Sequence, residues 1–84
     1  MKVIYDDQAL KDLDYWKKTD KKIYNKIAQL IQEITVTPFA GMGKPEPLRY
    51  EYSGCWSRRI TKEHRLIYEA RDGMVNIIQC RYHY

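Results

Sequence analysis

All three prolines and two of the four glycines of this 84-residue chain fall between residues 38 and 47. Proline cannot continue a helix and both residue types favour turns, so this cluster divides the chain into two halves of different periodicity. Before the break, apolar residues recur with a helical period. Ile23, Ile27, Leu30, Ile31 and Ile34 form one clean stripe, and Leu10, Leu13 and Trp16 form a narrower one ahead of it. Thr19-Asp20 interrupts the two stripes and is placed to cap the second helix. Lys2-Val3-Ile4-Tyr5 reads as a short strand closed by Asp6-Asp7, either of which can cap the first helix. After the break come four strand-like runs: Leu48 to Tyr52, Trp56 to Thr61, Arg65 to Ala70 and Met74 to Arg81. Ser53-Gly54, Lys62-Glu63 and Asp72-Gly73 mark the turns between them. The expected architecture is α+β, in one domain over residues 1–84. An N-terminal strand and two helices precede an antiparallel meander, forming a twisted sheet with the helices packed on one face. The break itself is expected to be an ordered loop anchored by Phe39 and Met42.

A hydrophobic content of 44% and eight tyrosines argue for a packed core and against disorder. No apolar run approaches the roughly 18 residues of a membrane span, and no signal-peptide pattern precedes the first strand, so no membrane association is expected. Cys55 and Cys80 fit neither a zinc spacing nor a redox Cys-x-x-Cys motif. They are expected to be half-buried thiols in a reducing cytoplasm, with no metal and no cofactor.

The net charge of +4 is unevenly built. Seven of the nine lysines precede residue 27, whereas all six arginines (Arg49, Arg58, Arg59, Arg65, Arg71 and Arg81) lie in the second half. Lysine is a hydrated point charge and arginine a planar fork that grips phosphate bidentately. The segregation suggests a general electrostatic surface on the first half and a phosphate-gripping one on the second. Lys17, Lys18, Lys21 and Lys22, with Lys26, are either a solvated helix face or an RNA-facing patch.

Two further features bear on chemistry. Glu46 lies between Pro45 and Pro47, so its backbone is stiff and extended without belonging to a helix or strand. The chain ends in Arg81-Tyr82-His83-Tyr84, a cluster that makes sense at a terminus only if the end is docked. Metal-free RNA cleavage needs a base for the 2′-hydroxyl proton, cations for the phosphorane and an acid for the departing 5′-oxygen. A carboxylate and an imidazole, of unperturbed pKa about 4.3 and 6.5, suit the two proton transfers near neutrality. Glu46, His83 and some of the arginines meet the requirement by composition. His64 lies at a hairpin turn and receives no catalytic role, Tyr82 is assigned to packing, and Tyr84 can stack on a base.

Four segments carry a specific resemblance: Gly43-Lys44-Pro45-Glu46-Pro47-Leu48, Gly54-Cys55-Trp56-Ser57-Arg58-Arg59-Ile60, His64-Arg65-Leu66-Ile67-Tyr68 and Cys80-Arg81-Tyr82-His83-Tyr84. Together with Tyr15-Trp16 and Thr19-Asp20-Lys21, they resemble the YoeB/Txe branch of the RelE-type toxins nearly end to end. The resemblance implies the RelE-like microbial ribonuclease fold and a ribosome-dependent mRNA endoribonuclease, the toxin half of a toxin–antitoxin pair. Such an enzyme enters the ribosomal A site, cuts the exposed codon and leaves a 2′,3′-cyclic phosphate. By the same resemblance Glu46 is the general base, His83 the general acid, Arg65 the arginine at the scissile phosphate, Arg59 a supporting cation and Tyr84 a holder of the substrate nucleotide. Arg49 stands where the family often carries lysine, and Cys55 where it often carries an aromatic. The implied partners are mRNA, the ribosome, an acidic YefM/Axe-like antitoxin and a possible second copy of the chain. The alternatives are a gyrase-inhibiting toxin of the same fold and a non-catalytic RNA- or ribosome-binding protein.

The sheet offers a check that does not depend on the family. A three-residue connection between paired residues 60 and 64 places Arg59 opposite Arg65 on one face. A two-residue Lys62-Glu63 turn would pair Ile60 with Arg65 and send the two arginines to opposite faces. The first arrangement is expected.

Overall fold

The computed structural model describes residues 1–82. Its elements run β1 (Lys2–Tyr5), α1 (Asp7–Thr19), α2 (Lys21–Ile34), β2 (Glu46–Pro47), a 3₁₀ turn (Tyr50–Tyr52), β3 (Trp56–Arg59), β4 (Arg65–Arg71) and β5 (Met74–Gln79). The five strands form one sheet in the order β1-β5-β4-β3-β2. The pairs from β2 to β5 are antiparallel, and β1 joins the far edge parallel to β5. This is the α+β architecture expected, with the first strand closing the meander.

Asp20 joins the two helices. Its N–H closes α1 on the Trp16 carbonyl at 2.8 Å, while its carboxylate accepts from the N–H groups of Lys22 and Ile23 at 3.1 and 3.3 Å. One residue therefore ends one helix and starts the next. The α2 stripe is the core as expected: Ile27, Leu30, Ile31 and Ile34 are buried among Leu66, Tyr68, Val75 and Ile77 of the sheet, with Ile23 half-buried beside them.

The first helix differs from the expected stripe. Leu10 is 52% exposed, and the buried face is Ala9, Asp12 and Trp16, with Leu13 packed at its edge. Ala9 and Asp12 lie three apart, Asp12 and Trp16 four apart, so the face has helical spacing. A carboxylate tolerates this position because its Oδ2 accepts the Cys80 N–H at 3.0 Å and its Oδ1 the Gln8 amide at 2.9 Å. The same contact ends β5 at Gln79, two residues before the expected limit, because the Cys80 N–H leaves the ladder.

Leu48 to Tyr52 is not a strand. Only Glu46–Pro47 pairs with β3, at Ser57 and Trp56, and the Leu48 N–H adds one more bond to the Cys55 carbonyl at 2.9 Å. Tyr50 then takes a positive φ of 57°, which stops an extended run and opens the 3₁₀ turn. Glu46 accordingly sits on a short edge strand, contrary to the expectation that its stiff loop needed none.

Phe39 and Met42 do not anchor the preceding loop from within; they are 51% and 42% exposed, and Phe39 only leans on Trp56 at 4.8 Å. The anchor is Arg58, fully buried on the helix face of β3. Its Nε donates to the Tyr68 hydroxyl at 3.1 Å. Nη1 donates to Glu33 Oε1 at 2.6 Å and the Met42 carbonyl at 3.1 Å, and Nη2 to the carbonyls of Thr37 and Ala40 at 2.6 and 2.9 Å. All five donors of the guanidinium are used. Glu33 Oε1 also accepts the Met42 N–H at 2.5 Å, so the loop is held from both sides. Gly41 and Gly43 take positive φ where this packing is tightest. A Cβ on Gly41 would collide with the Glu33 carboxylate, and one on Gly43 would lie 3.0 Å from the Arg59 carbonyl oxygen.

Tyr68 completes the assembly, its hydroxyl donating to the Pro38 carbonyl at 2.6 Å while accepting from Arg58. Burial is the main cause that raises its pKa, so the hydroxyl stays a donor at physiological pH. Tyr68→Phe strands one Arg58 N–H and one carbonyl, and should lower stability by about 1–3 kcal/mol in chemical denaturation, without change of fold. Among the described residues, no helix is long and apolar enough to cross a membrane.

Candidate active site

Alternate residues of a strand face opposite sides of the sheet. Leu66 and Tyr68 face the helices, so Arg65, Ile67, Glu69 and Arg71 face away from them. The ladder pairs Arg58 with Leu66, and Ser57 with Ile67. Arg59 lies directly opposite Arg65. The N–H groups of Ile60 and Thr61 both reach the His64 carbonyl, at 3.0 and 3.3 Å. This is the three-residue connection, and both arginines share the face turned away from the helices. Glu46 pairs with Ser57, two residues from Arg59, and so belongs to the same face. Two strand spacings across and two residues along put the Cα atoms of Glu46 and Arg65 about 12 Å apart. Side chains of their lengths can close on one phosphodiester from that separation.

The cations on this face are fewer than the sequence suggested. Arg58 is the internal anchor described above and faces the helices. Arg81 lies 3.5 Å over the Tyr15 ring and donates to the Tyr82 hydroxyl at 2.8 Å. Arg71 lies 3.9 Å from Glu69. Arg58 and Arg81 are therefore engaged within the protein, and Arg71 is exposed with only that weak contact among the described residues, which leaves Arg49, Arg59, Arg65 and Arg71 as available cations. Arg65 is half-buried, and its Nη1 donates to the carbonyls of Thr61, Lys62 and His64 at 2.9, 3.3 and 3.2 Å. The turn thus orients one end of the guanidinium, and Nη2 and Nε make no hydrogen bond among the described residues. Arg59 and Glu46 are exposed, and Arg49 is an exposed residue at the entry to the 3₁₀ turn.

Lys17, Lys18, Lys21 and Lys22 are all exposed around the helix junction. Lys18 pairs with Asp14 at 2.9 Å, a solvated contact that contributes little. Among the described residues, no group of three or more His, Cys, Asp and Glu side chains converges as a metal site. Cys80 is buried, with its thiol pushed up to about 12 by burial and then by Asp12; Cys55 is half-buried and also raised, chiefly by burial. Both remain protonated thiols, which suits packing and not nucleophilic work.

The last described residues are fixed by long-range bonds. Asp12 holds the Cys80 N–H, and Trp16 Nε1 donates to the Cys80 carbonyl at 2.9 Å. The Tyr82 carbonyl accepts the Arg65 N–H at 3.0 Å, and the Tyr82 N–H donates to His64 Nδ1 at 2.8 Å. Tyr82 is not a packed strand residue. It is 58% exposed, outside β5, with a positive φ of 63°. His64, given no role from the sequence, grips the tail, and Asp12 and Trp16 do so with it. Asp12 carried a signal: a carboxylate spaced at helical intervals between Ala9 and Trp16. His83 and Tyr84 lie outside the described residues.

The chain is similar to known proteins along its whole length. Residues 5–84 match the family described as the YoeB-like toxin of bacterial type II toxin–antitoxin systems. Toxin YoeB of Escherichia coli (strain K12) is 52% identical over 84 residues, covering 100% of both chains. The solved YoeB/ParE toxin from Agrobacterium tumefaciens superimposes with a TM-score of 0.95 at 45% identity, over 100% of each chain. The heterotetrameric YoeB-YefM toxin–antitoxin complex from Staphylococcus aureus gives 0.91 at 39% identity, over 100% of this chain and 98% of that one. On its sequence and its fold alike, this chain belongs to the YoeB-like toxins of bacterial type II toxin–antitoxin systems.

Proposed function

We propose that this toxin is a ribosome-dependent mRNA endoribonuclease that cleaves the codon exposed in the A site and so stops translation. The observation that carries the reading is the register that brings Glu46, Arg59 and Arg65 to one face, with the tail leading to His83 bonded to the Arg65 backbone. Glu46 takes the proton of the 2′-hydroxyl, and the 2′-oxygen attacks phosphorus in line. Arg65 and Arg59 neutralise the charge that grows on the phosphorane, and Arg65, oriented by the turn carbonyls, does so with little reorganisation in the transition state. His83 gives its proton to the departing 5′-oxygen. The upstream fragment ends in a 2′,3′-cyclic phosphate and the downstream one in a 5′-hydroxyl, and no cofactor enters the balance. Tyr84 and Arg49 hold the flanking nucleotide and phosphate, and the exposed lysines at the helix junction face ribosomal RNA.

The resting cell has to keep such a face covered. As the YoeB of Staphylococcus aureus is found with YefM, the partner here is an acidic, partly disordered antitoxin segment that folds over the basic face. A 5′-end map of mRNA after induction tests the reading: cuts that follow the reading frame support it. Unchanged mRNA ends with crosslinking to ribosomes would replace it with a binding role.

A further inference from the structure

The residue before His83 has an uncommon backbone. Tyr82 is in the left-handed region at φ 63°, where a bulky side chain is disfavoured, yet it is more than half exposed and has no core packing to hold it there. Its backbone is held by two hydrogen bonds, one on each side of the residue, beside the bond from Arg81 to its hydroxyl. Its carbonyl accepts the Arg65 N–H at 3.0 Å, and its N–H donates to His64 Nδ1 at 2.8 Å. A backbone N–H can only donate, so Nδ1 meets it as the lone-pair nitrogen.

The imidazole is itself fixed. Its ring stands edge-on to Trp16, with centroids 4.8 Å apart and planes at 81°, and lies 5.6 Å from the Tyr82 ring. Trp16 in turn is bonded to the Cys80 carbonyl. The His64 backbone N–H reaches Thr61 Oγ1 at 3.2 Å and its backbone carbonyl takes the N–H groups of Ile60 and Thr61, so the turn fixes the main chain from which the ring projects. A side chain held this firmly by a helix and a turn, with its one acceptor aimed at the tail, does more than fill a hairpin.

We propose that His64 is a positioning residue for the cleavage reaction: through Nδ1 it fixes the left-handed turn at Tyr82, the residue that precedes the proposed acid in the chain. The role at His83 rests on the nuclease reading above; the clasp on Tyr82 does not. His64 touches neither substrate nor the reacting atoms, and its effect travels through one backbone amide. Small misplacement of a catalytic group is costly, up to about 10²-fold in rate.

The test compares His64→Leu, which keeps bulk and removes the acceptor, with His64→Asn, whose Oδ1 occupies a similar position and accepts. Two quantities are read: hydrogen exchange of the Tyr82 amide by NMR, and cleavage kinetics on ribosomes programmed with a defined A-site codon. In His64→Leu the Tyr82 amide should exchange at least about tenfold faster while the sheet amides stay protected. Its kcat should fall about 10–10²-fold with KM changed less than about twofold. His64→Asn should recover most of both. A through-hydrogen-bond coupling between the Tyr82 amide nitrogen and His64 Nδ1 in the unaltered protein reads the clasp even if a variant fails to fold, and its absence overturns the proposal. A freed Tyr82 amide with unchanged cleavage overturns the positioning role. Wild-type protein that cuts nothing overturns the nuclease reading, and with it the role at His83, while the exchange and coupling data still decide the clasp.

Discussion

Arg58→Met should lose about 3–5 kcal/mol of stability, because it strands three main-chain carbonyls and the Tyr68 hydroxyl as well as Glu33. A domain of this length has roughly 4–13 kcal/mol in all, so the variant is expected to be partly unfolded at growth temperature. Replacing a buried ion pair by apolar residues is often harmless because both charges disappear together. That escape is closed here. Three of the five acceptors are main-chain carbonyls, of Thr37, Ala40 and Met42, and these cannot be substituted away. Lysine offers three donors for five acceptors and should recover only part of the loss. Because the loop leads directly into Glu46, both variants should also lose RNA cleavage beyond what their folded fraction explains. A midpoint within about 1 kcal/mol of wild type for Arg58→Met would show that the loop is held by something else.

The same assembly gives stability a pH dependence. The Glu33 carboxyl lies below its ordinary range, first because it accepts the Met42 N–H and then because of Arg58. A carboxylate lowered on folding stabilises the protein above the unfolded value, and that contribution is lost as pH falls through the lowered one. The loss should therefore appear below about pH 4.3, with no slope from this group near neutrality. In Glu33→Gln the acid limb of the stability profile should flatten.

Glu46→Gln and His83→Ala should each reduce cleavage by about 10²–10⁴-fold, the range general acid–base groups contribute, while folding normally. Glu46 is exposed on an edge strand, so its loss costs no packing. On the proposed mechanism the two effects should not add, because proton removal and proton delivery would serve a single displacement. Arg65→Lys tests the cation separately. It keeps charge but loses the fork that the turn carbonyls orient, and should fall between wild type and Arg65→Ala. Wild-type cleavage by His83→Ala would remove the acid from the scheme.

Much of this arrangement was legible in the chain. The stripe from Ile23 to Ile34 and the turn residues around β3 to β5 are local signals, and the Arg59–Arg65 register follows from the length of one hairpin connection. What stayed hidden depended on partners far along the chain. Arg58 looks like any basic strand residue until Glu33, 25 positions away, is seen beside it. Asp12 looks solvated until its bond to Cys80, 68 positions on, accounts for its burial. His64 sits in a turn, where polar residues are ordinary, and only the tail folding back to it reveals its acceptor. Leu48 to Tyr52 has strand composition, but Pro47 at the edge and the left-handed Tyr50 end the pairing after one further bond.

In the proposed reaction the 2′-oxygen attacks in line on an A-site codon, at the face that carries Glu46, Arg59 and Arg65. Purified ribosomes presented with a codon bearing a single 2′-O-methyl group at the cut position isolate that step. The unmodified codon should be cut to a 2′,3′-cyclic phosphate and the methylated one left intact at that bond; equal cleavage of both would rule the attack out.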